Sequence, residues 1–193
     1  MQSSHAHFLF ICRARDQLRH IMNRMSCWRF FKPKSHISNR IRISNMSSLT
    51  KVTKADSEWK KELSTEEFRV LRQKGTEAPY KGEYDGFYPK KGHFVCKACQ
   101  NPLYTAASKF KSGCGWPAFD QCVKGSIKTI SDSSMGMSRI EILCAACDGH
   151  LGHVFRGERI TASNERHCVN SVSVKYVDEP LENIEQEIIT QNM

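Results

Sequence analysis

A chain of 193 residues is long enough for one domain with its own core plus appendages, and it contains no run of about 18 apolar residues that would cross a membrane as a helix. The net charge of +9 sits at one end: residues 1–50 hold nine Lys/Arg against the single acid Asp16, and the remainder holds twenty against nineteen. The near-neutral remainder weighs against the basic face by which a nucleic-acid-binding domain is recognised.

Residues 1–45 read as a basic leader and linker. Residues 7–31 mix Phe8, Leu9, Phe10, Ile11, Leu18, Ile21 and Met22 with Arg13, Arg15, Arg19 and Arg24, and acids are almost missing. That is the amphipathic, Arg-rich composition of a mitochondrial presequence; a disordered basic tail is the plainer alternative. Met46 opens a segment that could serve as a second start, which would make a cytosolic form.

The folded part is expected over residues 46–180. Trp59 and Leu63, four apart, predict a helical turn. Ser64-Thr-Glu-Glu67 then reads as a capping box, and Phe68, Leu71 and a closing Gly75 predict a second helix of about three turns. Residues 76–93 are broken by Pro79, Gly82, Gly86, Pro89 and Gly92, which predicts an extended loop pinned by Tyr80, Tyr84, Phe87 and Tyr88. Short strands follow at 94–99, 127–132, 137–146 and 167–176, where Ile140, Ile142 and Cys144 alternate with Arg139, Glu141 and Leu143. Leu181, Ile184 and Ile188 are spaced for a short C-terminal helix or a frayed tail over residues 181–193.

Cysteine usage is high: nine in all, seven of them beyond residue 90. No secretory signal is visible, so pairs of cysteines point to metal or redox chemistry. Cys96-x-x-Cys99 and Cys144-x-x-Cys147 are two knuckles, 44 residues apart, whose four thiolates would close a tetrahedral zinc shell. Such a site has no open position and is expected to be structural, with no organic cofactor implied.

Three cysteines remain. Cys168 lies in Arg166-His-Cys-Val-Asn170. On a strand, Arg166, Cys168 and Asn170 would share one face, continued into the core by Val172, Val174 and Tyr176. A guanidinium two residues from a thiol favours the thiolate. His150-Leu-Gly-His153 places two possible acids directly after the second knuckle. Gly113-Cys114-Gly115-Trp116-Pro117 is a tight turn presenting a second thiol and an apolar wall. Cys114 can condense with an oxidised Cys168, and Cys122, eight residues further on, is a rival. From the residues alone Cys168 can equally be a buried strand cysteine, and a zinc-dependent binding module or a zinc hydrolase using His150 and His153 remain alternatives. The near-neutral domain weighs against the first and the closed thiolate shell against the second.

The ordered set of motifs — both knuckles, Ser112-Gly-Cys-Gly-Trp-Pro117, Arg139-Ile-Glu141, Cys147-Asp-Gly-His-Leu-Gly-His-Val-Phe155 and Arg166-His-Cys-Val-Asn-Ser171 — resembles the B-type methionine sulfoxide reductases from about Glu58 to Tyr176. The resemblance implies a mainly β domain of two antiparallel sheets with short N-terminal helices and a structural zinc. It implies that Cys168 is the nucleophile that reduces methionine-R-sulfoxide and becomes a sulfenic acid. Cys114 then resolves it as a disulfide that thioredoxin reduces. His150 and His153 would hold and protonate the sulfoxide oxygen, and Arg166 and Asn170 would support the thiol. Trp116 would receive the substrate's methyl group, with Phe155 lining the same site. Cys96, Cys99, Cys144 and Cys147 match the zinc ligands. Oxidised proteins would be the substrates, in protein repair and oxidative-stress defence, and a monomer is expected. His167 departs from the family, which has an aromatic residue there.

Overall fold

The computed structural model describes residues 50–133, 136–181, 185–187 and 189. The expected presequence over residues 1–45 lies outside the described residues.

Two short helices open the domain: α1, Asp56–Glu62, and α2, Thr65–Leu71. Ser64 caps α2 as its sequence demands, its Oγ accepting from the Glu67 N–H while the Glu67 carboxylate accepts from the Ser64 N–H. The helix is two turns long rather than three. Arg72 closes it, and Lys74 takes a left-handed backbone (φ 58°) that no helix continues. Trp59, Phe68 and Leu71 are buried, so the helices dock on the core by one face each.

The loop from Glu77 to Gly92 carries no regular element and is fastened by rings: Tyr84 meets Phe94 edge-on at 5.5 Å, and Phe87 meets Tyr176 at 4.9 Å. Beyond it the chain is β. Strands β1 (His93–Cys96), β2 (Pro102–Thr105), β3 (Lys109–Phe110), β4 (Ala118–Phe119), β5 (Cys122–Val123), β6 (Ile127–Asp132), β7 (Arg139–Cys144), β8 (His150–Arg156), β9 (Glu165–Val169), β10 (Val174–Val177) and β11 (Gln186–Glu187) follow in order. Six pair antiparallel as β3-β4-β9-β8-β7-β6, and three as β10-β1-β2. These are the two expected sheets. A two-stranded ribbon, β11-β5, adds a third pairing that the sequence does not announce.

The two sheets and the helices enclose one core. Tyr104 stacks on Phe119 at 4.1 Å, and Phe94 meets Phe119 edge-on at 5.1 Å, with Ile142, Leu151 and Val169 also buried. Two sequence expectations change. The strand expected over 167–176 breaks into β9 and β10 around a 3-10 turn at Ser171–Ser173, so Val172 and Tyr176 do not extend the face of Cys168. Where the C-terminal stretch is described it opens as a strand rather than an α-helix: Gln186–Glu187 form β11, paired with Cys122 and Val123, and Ile189, in a 3-10 conformation, is buried in the core. Ile184 and Ile188, which set the expected helical spacing, lie outside the described residues.

Candidate active site

Strand β9 sets the site by alternation. Glu165, His167 and Val169 face the core, while Arg166 and Cys168 face outward and are half-buried. Register then places neighbours on the same outward face. Cys168 lies opposite His153 on β8 and opposite Ala118 on β4, and His153 lies opposite Glu141 on β7. A row Glu141–His153–Cys168–Ala118 thus crosses four strands. Gly152 permits it: a Cβ there would lie 1.9 Å from the Cys168 carbonyl oxygen, closer than any side chain can approach.

Cys114 reaches Cys168 through topology rather than sequence. It sits in the loop between β3 and β4, and because β4 pairs with β9, the loop folds back over the strand that carries Cys168. The two sulfurs are 3.7 Å apart. Ser112 Oγ lies 3.0 Å from the Cys114 sulfur. Two thiols so close share one negative charge, since the second ionisation is opposed by the first. The Cys168 thiol, donating to it, together with Ser112, pushes Cys114 down to about 5 against the effect of burial. The charge on Cys114 and its own burial push Cys168 up, and Arg166 only partly offsets them. The sequence reading counted Arg166 alone; the neighbouring Cys114 sulfur competes with Cys168 for the shared charge.

Both histidines are held by carboxylates. His150 is buried, with Nδ1 2.7 Å from Glu141 Oε1, and Glu141 Oε2 accepts from Lys74 Nζ at 2.8 Å. His153 Nε2 is 2.9 Å from Asp132 Oδ2, which also accepts from Arg139. The rings stand 5.6 Å apart. A carboxylate on one ring nitrogen fixes the tautomer and leaves the other nitrogen for chemistry. Burial lowers the His150 pKa, and Glu141 resists that. Glu141 stays below the usual carboxylate range despite its own burial, because Lys74 and His150 both favour its charge.

Arg166 is clamped rather than free. Its guanidinium makes a two-pronged pair with Glu158, at 2.6 Å on each prong, and stacks over the Phe155 ring at 4.4 Å. Phe155 lies directly opposite Arg166 across the β8–β9 pairing. Trp116 donates its ring N–H to the Glu77 carbonyl at 3.1 Å, which fixes the indole two residues from Cys114. Asn170 does not share the strand face, since β9 ends at Val169. It is buried, its amide N–H donating to the Leu151 carbonyl at 3.0 Å and its Oδ1 accepting from the Glu77 N–H at 3.0 Å. Cys122 is sealed under the tail: burial pushes its thiol up to about 12, and its sulfur meets the Glu187 carbonyl.

Glu77, Asp132, Glu141 and Glu158 are the contributors the sequence reading passed over as site residues. Glu141 had a signal, an acid inside the apolar run Ile140-Glu-Ile-Leu143; the others sit at strand ends or in loops and had none. The departure at position 167 is absorbed by the core, where His167 is fully buried between Glu165 (3.1 Å) and the Tyr104 hydroxyl (3.3 Å). A groove of about 420 Å³ is lined by Glu66, Glu67, Glu77, Lys81, Lys97 and Ser171, with none of the cysteines in its wall.

The knuckles meet. Each turns the same way: the N–H of the residue after the second cysteine, Gln100 or Asp148, bonds back to the carbonyl of the first at 2.9 Å, in a left-handed conformation. The four sulfurs lie within 4.8 Å of one another, with Cys96–Cys147 at 3.7 Å and Cys99–Cys144 at 3.6 Å. A tetrahedral thiolate shell with metal–sulfur bonds near 2.3 Å requires sulfurs about 3.8 Å apart, so the group fits a metal ion. Asn101 donates to the Cys144 sulfur at 3.7 Å, and Gly149 leaves room for the sulfurs of Cys147 and Cys96. The site ties the β1–β2 hairpin to the base of β7–β8, its last cysteine three residues before His150.

Residues 63–178 match the SelR domain family. Peptide methionine sulfoxide reductase B5 of Arabidopsis thaliana is 54% identical over 126 residues, covering 65% of this chain and 88% of that protein. Peptide methionine sulfoxide reductase B5 of Oryza sativa subsp. japonica is 53% identical over 124 residues, or 64% and 89%. A third relative, peptide methionine sulfoxide reductase B2, chloroplastic, of Arabidopsis thaliana, is 50% identical over 141 residues, or 72% and 68%. On its paired thiols, its thiol-rich metal cluster and these likenesses, the chain belongs to the SelR-domain family of B-type peptide methionine sulfoxide reductases, and it is an oxidoreductase.

Proposed function

We propose that the chain reduces methionine-R-sulfoxide, in proteins and as the free amino acid, with Cys168 as nucleophile. The observation that carries this reading is the 3.7 Å approach of Cys114 to Cys168 on a strand position opposite His153. The Cys114 thiolate takes the proton of Cys168, which frees the Cys168 thiolate to attack the sulfoxide sulfur. The oxygen is a poor leaving group unless protonated, and His150 or His153, as imidazolium, donates that proton. The oxygen ends on Cys168 as a sulfenic acid, so the cysteine is oxidised by two electrons and the sulfoxide is reduced to the thioether. Cys114 then attacks the sulfenic sulfur, water leaves, and thioredoxin reduces the Cys114–Cys168 disulfide.

Arg166, held by Glu158, supplies positive charge beside the thiol. Trp116 and Phe155 offer apolar surface to the substrate's methyl and methylene groups. Asn170, through Leu151 and Glu77, holds the end of β9 in place. The R epimer is chosen because oxygen donors on β8 and the apolar wall on the β3–β4 loop lie on different sides of the thiol. Cys96, Cys99, Cys144 and Cys147 hold one zinc as a structural staple; with the shell closed by four thiolates, the ion fixes the base of β7–β8 and takes no part in the chemistry. Residues 1–45 direct the chain to mitochondria, and a form starting near Met46 stays in the cytosol. The protein acts as a monomer in the repair of oxidised proteins.

Incubation with racemic methionine sulfoxide and dithiothreitol tests the reading. Only the R epimer should be consumed, and Cys168→Ser should abolish its consumption. Loss of both epimers, or turnover near wild type in the serine variant, would reject it.

A further inference from the structure

Tyr80 combines features that do not belong together in an idle loop. Its side chain is 67% exposed, yet its backbone is left-handed (φ 61°), a conformation that bulky residues avoid. It is also pinned twice to the loop carrying Cys114: its N–H donates to the Gly115 carbonyl at 2.7 Å, and its hydroxyl donates to the Gly113 carbonyl at 2.9 Å. Three residues earlier, the Glu77 carbonyl accepts the Trp116 ring N–H. The glycines on either side of Cys114 and the tryptophan beyond it are thus all tied to one four-residue segment.

The other end of that segment grips the chain beyond Cys168. The Glu77 N–H donates to Asn170 Oδ1 at 3.0 Å, and its buried carboxylate accepts the backbone N–H groups of Ser171 and Val172. Residues 77–80 therefore bridge the two stretches of chain that hold the reactive thiols, which lie 54 positions apart in sequence.

We propose that Glu77–Tyr80 is a clasp that holds Cys114 over Cys168, and that Tyr80 is a positioning residue for disulfide closure; this rests on the roles proposed above for the two cysteines. In closure the Cys114 thiolate attacks the Cys168 sulfenic sulfur. An S–S bond forms, the S–O bond breaks, and the hydroxide leaves as water after taking one proton from solvent. The sulfenic acid is itself the oxidant. The rate of such a step depends on how closely the reacting atoms are held. Attack on the sulfoxide asks of Cys114 only that it accept a proton, which a looser approach still allows, so the clasp acts chiefly on the second step.

The test is a single-turnover reaction of wild type, Tyr80→Phe and Tyr80→Gly with methionine-R-sulfoxide and no reductant. Methionine release and dimedone-trapped sulfenic acid are followed in time. All three proteins should release about one methionine per chain, with the release rate changed less than the lifetime of the sulfenic acid. The sulfenic acid should persist about 2- to 10-fold longer in Tyr80→Phe, which loses one hydrogen bond. It should persist longer again in Tyr80→Gly, which keeps the backbone conformation but loses ring and hydroxyl. A residue serving stability alone would change the melting temperature and leave this lifetime as it was. Sulfenic acid decaying at the wild-type rate in both variants overturns the clasp, as does a slowed release of methionine with an unchanged lifetime. Failure of wild type to release methionine would instead overturn the reading of Cys168.

Discussion

At the scale of single residues, the charge shared by two sulfurs orders the proposed cycle. Cys114, pushed down to about 5, carries the resting charge at neutral pH and so acts first as base and later as nucleophile. Cys114→Ser should still release one methionine per chain from Cys168, more slowly at neutral pH for want of that base, and should not be recycled by thioredoxin. Cys122→Ser should turn over as wild type, because that thiol is sealed and held protonated; steady-state assays with thioredoxin compare the two. His150 gives a pH prediction with a definite sign. Burial lowers its pKa, Glu141 raises it, and His153 and Lys74 lower it. The imidazolium is therefore lost below the ordinary histidine value near 6.5, and the first step should speed up as pH falls toward that range. Glu141→Gln removes the one favourable charge, so the acid limb should move to lower pH and the rate at pH 7 should fall roughly 10- to 100-fold. Lys74→Ala removes a repulsion and should shift the limb slightly the other way. Single-turnover rates against pH distinguish the two.

At the scale of elements, alternation made much of β6, β7 and β9 readable, and the capping box made α2 readable. Strand β8 was not. Its sequence His-Leu-Gly-His reads as an appendage of the knuckle, because Gly152 weakens any strand signal. The glycine is there for the close pass of the Cys168 carbonyl, a tertiary demand that no local pattern reveals. Gly152→Ala should push β8 from β9, costing roughly 1–3 kcal/mol of stability together with most activity; thermal melting and a sulfoxide assay would show both. The partnership of Cys114 with Cys168 was open in the residues, with Cys122 as a rival, and spacing could not decide it, since it depends on β4 pairing with β9. The knuckles were legible because two intervening residues set the bite locally, and their meeting across 44 residues followed because four thiolates complete one tetrahedral shell. Metal analysis should find about one zinc per chain. Cys96→Ala or Cys147→Ala should lose it and drop the melting temperature by more than about 10 °C.

At the scale of the whole molecule, Cys168 and both histidines stand on one sheet, Cys114 stands in a loop between two of its strands, and the described contacts that support them run from Lys51 to Ile189. A chain beginning at Met46 should therefore keep full reductase activity in vitro, while fusion of residues 1–45 to a reporter should carry it into mitochondria. The tail belongs to the fold as well. Ile189 is buried, its N–H donates to Glu165, and β11 covers Cys122. Removing residues 182–193 should lower the melting temperature by about 5–10 °C and make Cys122 reactive to a thiol reagent.

The sulfur-to-sulfur gap of 3.7 Å has a consequence for recognition. A disulfide needs sulfurs about 2.05 Å apart, so closing the gap asks for a shift of less than 2 Å in a loop already folded over its target. In the proposed cycle the spent and ready forms are then almost the same shape. They differ by one negative charge at the mouth of the site, present in the dithiol and gone in the disulfide. A reductase that must find the spent molecules among the ready ones has electrostatics and the bond itself to go by, and very little contour.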